Sequence, residues 1–107
     1  MIKVRFSVGN RQLKGFEISG HAMFAESGSD VVCAAVSSAA YMAANTITDV
    51  IGADAVAEAG EASMRVELKQ PDEQAETVLK GLELHLTELS KQYPQNIKII
   101  YGGVKNA

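Results

Sequence analysis

From Val31 to Ile51 the chain runs without a glycine or a proline, and much of the run is alanine and serine. Such a stretch reads as one helix of about 20 residues. Gly52 is a natural C-terminal stop, because glycine adopts the left-handed conformation that closes a helix. Asp30 is a plausible N-cap, its carboxylate able to accept from open backbone N–H groups two or three residues on; Ser29 is a rival for that place. Ala34, Ala35, Ser37, Ser38, Ala39, Ala40, Ala43 and Ala44 let other backbone come close. The helix is therefore expected to be central and packed on several sides.

The remaining segments must cover it. Ile2, Val4, Phe6 and Val8 alternate with Lys3, Arg5 and Ser7. Period two with one apolar side is a half-buried strand. Gly9-Asn10 is expected to turn tightly, and Leu13 to Gly20 to return with Phe16 and Ile18 buried. Residues 21 to 32 show no clean period and carry Glu26-Ser27-Gly28-Ser29-Asp30, which is loop chemistry. Ala55 to Ala59 reads as a short strand or as loop, turning at Gly60-Glu61. Residues 63 to 69 alternate again. Pro71-Asp72-Glu73 opens a second helix whose stripe is Ala75, Val78, Leu79, Leu82, Leu86 and Leu89, and Tyr93-Pro94 ends it. Ile97 to Tyr101 is a last strand. The expected fold is α+β: a small sandwich of an antiparallel-rich sheet with two helices, in the order β-β-α-β(β)-α-β, as one domain over residues 1–107.

Composition narrows the function. With 107 residues and 47% hydrophobic content, the chain buries a real core. The net charge of -3 provides no basic patch for a phosphate backbone, so direct nucleic-acid binding is not expected. Lys3, Arg5, Arg11 and Lys14 read as the solvated side of a hairpin or as a docking surface for an acidic or RNA-bound partner. An acidic protein also suits a basic substrate tail. The N-terminus lacks signal-peptide features, and no stretch approaches 18 uncharged apolar residues, so no membrane partner is expected. The single cysteine, Cys33, excludes an intrachain disulfide and fits a reducing, cytoplasmic setting.

Two residues carry the candidate chemistry. Cys33 is placed in the first turn of the alanine-rich helix, where the dipole and unused N–H groups stabilise a thiolate; a buried structural cysteine is the alternative. His21 follows Gly20 at a strand end and titrates near neutrality, as a general base requires. Together they make a possible Cys–His pair. Asp30 is a helix cap, or the group that orients the imidazole. Ser37, four residues after Cys33, shares its helix side; Ser37 and Ser38 either hydrogen-bond the site or pack against a neighbour. Gly20 is expected to allow close approach of substrate backbone beside His21, and Gly28 to give the loop freedom to gate access; both also suit ordinary turns. Phe24, Tyr41 and Met42 are candidates for an apolar wall. His85 falls off its helix's core stripe. No metal-ligand cluster and no phosphate loop is visible, and no cofactor is expected.

Gly20-His21-Ala22 followed by Gly28-Ser29-Asp30-Val31-Val32-Cys33-Ala34-Ala35-Val36-Ser37 resembles the signature of the bacterial ribosomal-processing cysteine protease family. The resemblance covers essentially the whole chain. It implies a cysteine endopeptidase that removes a short N-terminal extension, after an aromatic pair, from the precursor of large-subunit ribosomal protein twenty-seven. It implies His21 as catalytic histidine and Cys33 as nucleophile, with Gly20, Asp30 and Ser38 at positions linked to flexibility or site geometry. Backbone N–H groups around Ala34 and Ala35 would supply part of an oxyanion hole. It also implies a homodimer with a mobile loop over the site, matching residues 22 to 32.

Overall fold

The computed structural model describes residues 1–20 and 27–103, with side chains for 1–20 and 31–103. Five strands form one mixed sheet: β1 (Ile2–Gly9), β2 (Gln12–Ser19), β3 (Ala55–Gly60), β4 (Ser63–Leu68) and β5 (Ile97–Gly103), in the order β3-β4-β2-β1-β5. Neighbours run antiparallel except β1 and β5, which are parallel. Two helices, α1 (Ser27–Asn45) and α2 (Glu73–Gln92), connect β2 to β3 and β4 to β5. The short stretch Ala55–Gly60, ambiguous by sequence, is a strand paired to β4 through a turn at Glu61-Ala62.

The core lies between the sheet and the helices. Val4, Phe6, Phe16 and Val66 of the sheet and Ile47, Leu79 and Leu86 of the helical layer are wholly buried. Each side chain of this size contributes roughly 1.5–3 kcal/mol by leaving water. The stripe on α2 packs as its spacing requires: Ala75, Leu79, Leu82 and Leu86 are buried, and Val78 and Leu89 pack at the margin. Val31–Ile51 has the length and hydropathy of a membrane-crossing helix, contrary to the sequence expectation. Its Val32, Val36, Ala40, Ala43 and Ala44 are core residues, the role expected of an apolar helix inside a folded domain.

Four local features depart from the sequence reading. The hairpin turns at Asn10-Arg11, one residue later than Gly9-Asn10. Both residues have positive φ (52° and 64°), the two-residue turn whose twist matches its strands. A bulge at Ser7/Val8 shifts the register, so Val8 pairs with Leu13. Ser7 is not solvated but buried, its hydroxyl donating to Glu67 Oε1 at 3.1 Å. Finally, α1 begins at Ser27, inside the segment read as loop, and gives way at Thr46–Ile51 to a π-helical turn. The β-branched run Thr46-Ile47-Thr48 crowds the preceding turn. Thr46 and Thr48 hydroxyls also donate to the carbonyls of Met42 (2.7 Å) and Ala44 (3.0 Å). Gly52, at φ 72°, closes the turn as expected.

Capping and tethering fix the second helix. Asp72 accepts from the Ala75 backbone N–H at 2.9 Å. Asp72→Ala is expected to cost about 1 kcal/mol, a fall of about 4–8 °C in melting temperature by circular dichroism. The Tyr101 hydroxyl donates to Glu83 Oε2 at 2.6 Å, joining β5 to α2. That hydrogen bond, with burial second, raises the Tyr101 pKa above 10.0. The tie is thus complete below pH 10 and is lost only as pH rises through the raised value.

Candidate active site

Cys33 lies on α1 with its side chain half-buried, and forms no disulfide. Because α1 starts at Ser27, Cys33 is the seventh helical residue, in the second turn rather than the first. The sequence reading is corrected on three linked points. Asp30 stands inside the helix, so it is not the N-cap, and neither is Ser29. Gly28 is likewise helical, not a loop hinge. The N–H groups of Ala34 and Ala35 fall where an α-helix uses them, donating to the carbonyls of Asp30 and Val31. They are not available to an oxyanion; unused N–H groups belong to the first turn. His21, residues 22 to 26 with Phe24, and the side chain of Asp30 lie outside the described residues.

A cavity of about 250 Å³ opens beside Cys33. Its α1 wall is Cys33, Val36, Ser37, Ala40 and Tyr41; Ile2, Ile18 and Met64 line it from the sheet. The opposite rim is Gly20 with Gly60, Ala62 and Ser63 from the β3–β4 turn. Ser37 and Tyr41 follow Cys33 at successive intervals of four and so share its side of the helix. Ser38 and Ala35 do not: they line a separate groove between α1 and α2 with Met42 and His85. Ser38 therefore does not face the Cys33 cavity, and Met42 is not part of its wall. Ala34 is exposed and lines neither space.

Gly20 has a role the sequence only half revealed. Its φ is 90°, in the region L side chains rarely adopt, and a Cβ there would run into the Met1 carbonyl oxygen. The close approach is thus made by Met1 of the chain itself and not, as the sequence reading had it, by substrate backbone. The Gly20 N–H donates to the Ala62 carbonyl at 3.1 Å, fastening the end of β2 to the β3–β4 turn. Gly20, the residue before His21 in the sequence, is thereby held at the rim of the cavity. The turn residues Gly60, Ala62 and Ser63 were missed by sequence reasoning. Their place at the site follows from the Ser19–Ser63 pairing across β2 and β4, a long-range register with no local signal.

The chain matches the family model described as cysteine protease Prp over residues 1–98. It is 34% identical over 97 residues to the ribosomal processing cysteine protease Prp of Mycoplasma pneumoniae, covering 88% of this chain and 90% of the relative. It is 26% identical over 97 residues to the protein of the same name from Bacillus subtilis, covering 84% and 87%. In three dimensions it is similar to a ribosomal processing protease Prp from S. aureus solved with a substrate peptide. That match has a TM-score of 0.86 at 21% identity, and spans 95% of this chain and all of the other. This likeness shows a shared fold. With the family model matching nearly its whole length, the chain belongs to the Prp family of ribosomal-processing cysteine proteases.

Proposed function

We propose that the protein is the endopeptidase that removes the N-terminal extension from the precursor of large-subunit ribosomal protein twenty-seven, with Cys33 as nucleophile and His21 as its base. The observation that carries this reading is the cavity. The chain's single cysteine stands at its wall, and Gly20, the residue before His21, stands on its rim. In the proposed cycle His21 takes the proton from the Cys33 thiol. The thiolate attacks the scissile carbonyl, and the oxyanion forms. His21 then protonates the leaving amine, and water releases the acyl-enzyme. Cys33 sits beyond the first turn, where the helix dipole has largely faded. Thiolate formation therefore depends chiefly on His21. The polar side chains that line the cavity, Ser37 and Ser63 among them, suit hydrogen bonding to a peptide backbone.

The test is incubation of purified protein with the precursor under reducing conditions, read by mass spectrometry. Loss of the extension supports the reading. An intact precursor beside folded, reduced enzyme overturns it and favours a module that binds the precursor without cutting it. The reaction has no call on a cofactor, and its proposed setting is the cytoplasm, where the thiol stays reduced.

We further propose that the protein works as a homodimer through the groove between α1 and α2, where Ala39, Met42, Val78 and Leu82 present an apolar surface. Met42 is 64% exposed in the single chain, more than a large apolar side chain gains from. Met42→Glu is expected to convert the dimer to monomer in light scattering at micromolar protein. An unchanged mass would remove this groove as the interface.

A further inference from the structure

We propose that the substrate is gripped as an extended strand in a trough that leads from the Cys33 cavity along the uncovered edge of β3. The proposal rests on the protease reading for its substrate, but its geometry is independent of the chemistry at Cys33.

The trough is continuous with the cavity. A second hollow, of about 130 Å³, lies between α1 and the β3–β4 hairpin, and shares Tyr41 and Met64 with the Cys33 cavity. Its helix wall continues the stripe that begins at Cys33: Ser37, Tyr41, Asn45 and Thr48 recur at intervals of four, four, four and three. Fifteen residues of helix span about 22 Å. At about 3.3 Å per residue, that length takes a segment of about six or seven residues in extended form.

The other wall is a strand edge prepared for pairing. β3 ends the sheet, and Ala57, Glu58, Ala59 and Gly60 are exposed. Ala57 and Ala59 pair with the buried Val66 and Met64, so they stand on the helix side of the sheet. They are nevertheless exposed, because neither helix reaches over them. Edge strands are commonly protected by lysine, proline or a bulge. The sequence of β3, Ala-Val-Ala-Glu-Ala-Gly, contains no lysine or proline, and its register with β4 is unbroken. Small side chains along an unprotected edge leave room for a peptide backbone to add as a sixth strand, with its alternate side chains in the trough.

Charge specifies the occupant further. Among the described residues, the only charged one lining cavity or trough is Glu58, which alternates with Ala57 and Ala59 to the other side of β3 and is paired there with Arg65 at 3.0 Å, so the walls themselves are uncharged. Asp49 lies next to Thr48 at the far end, and Glu61 tips the hairpin. The occupant is therefore an extended peptide with apolar residues facing inward and positive charge at its flanks.

The experiment compares two synthetic peptides from the precursor. One spans the scissile bond with a full trough's length on either side; the other is cut to the residues next to the bond. Ala57→Trp, which fills the trough from an exposed position, is expected to lower kcat/KM for the long peptide about tenfold or more, mainly through KM. The short peptide should change by less than about twofold, since it does not reach Ala57. Leu84→Trp, exposed on α2 away from the trough, should change neither. Equal losses for both peptides, or no loss for the long one, would overturn the trough. If the unsubstituted protein cleaves neither peptide, the protease reading fails, and binding decides the trough separately. The Cys33→Ala protein should then bind the labelled long peptide by fluorescence anisotropy, and adding Ala57→Trp should weaken it about tenfold. Absent or undiminished binding overturns the proposal. So does an Ala57→Trp protein that turns from dimer to monomer, which would give the edge to a second copy of the chain.

Discussion

Cys33→Ala is expected to lower the single-turnover rate of precursor cleavage by at least about a thousandfold, because the sequence holds no second cysteine to replace its thiolate. The exchange removes one half-buried sulfur at the margin of the core, so the melting temperature should stay within a few degrees. Activity and stability are then separable. His21→Ala should cost nearly as much, because a thiol in the second helical turn takes little help from the dipole. The double variant should be little worse than either single one, the mark of two groups acting as a unit. Alkylation of Cys33 by iodoacetamide near neutral pH should slow in His21→Ala. A Cys33→Ala protein that cleaves within tenfold of the unsubstituted rate would end the case for Cys33 as nucleophile.

Gly15→Val is expected to produce the largest loss of stability, about 3 kcal/mol. That is a fall of more than about 10 °C in melting temperature for a domain of this size. Gly15 sits in the middle of β2, paired with Ser7 on one side and Glu67 on the other. A Cβ there would run into the Val66 carbonyl oxygen and come within 2.9 Å of Glu67 Cα. Glu67 reaches across the bare glycine to hydrogen-bond the buried Ser7. A side chain at residue 15 therefore pushes β4 from β2 and breaks that bond as well. Gly103→Ala is the control, since nothing lies within 4 Å of a Cβ at that position. Circular dichroism melts of both variants decide the matter; a Gly15→Val melt within 3 °C of the parent would show that the strands yield without cost.

The elements that local pattern controls were legible. The alternation of β1, the stripe of α2 and the stop at Gly52 each follow from neighbouring residues, and all are present. The start of α1 was not, because Ser27, Gly28 and Ser29 are weak helix formers whose sequence reads as loop. That one displacement moved Cys33 to the second turn and took the cap from Asp30 and the available N–H groups from Ala34 and Ala35. Ser7 was misplaced because a bulge and a glycine on the neighbouring strand bury it, neither visible from period two. At the site, Cys33 and Ser37 were readable as one helix side, and Tyr41 was expected in the wall it does form. The rim from the β3–β4 turn was not, because it depends on strand pairing between segments more than forty residues apart, such as Ser19 and Ser63.

The parallel pairing of β1 with β5 bears on when the enzyme comes into being. Ile2 lines the Cys33 cavity, yet its N–H donates to the Asn96 carbonyl at 2.7 Å and its register partner is Ile97. The two flanks of this seam are among the most distant stretches of the chain. A nascent polypeptide emerging from the ribosome carries Cys33 well before it carries β5, the strand that seats Ile2. Closing so long a loop is a slow, non-local step. The cavity is therefore completed only once β5 has been made, and a chain made no further than α2 holds a thiol without a finished pocket around it.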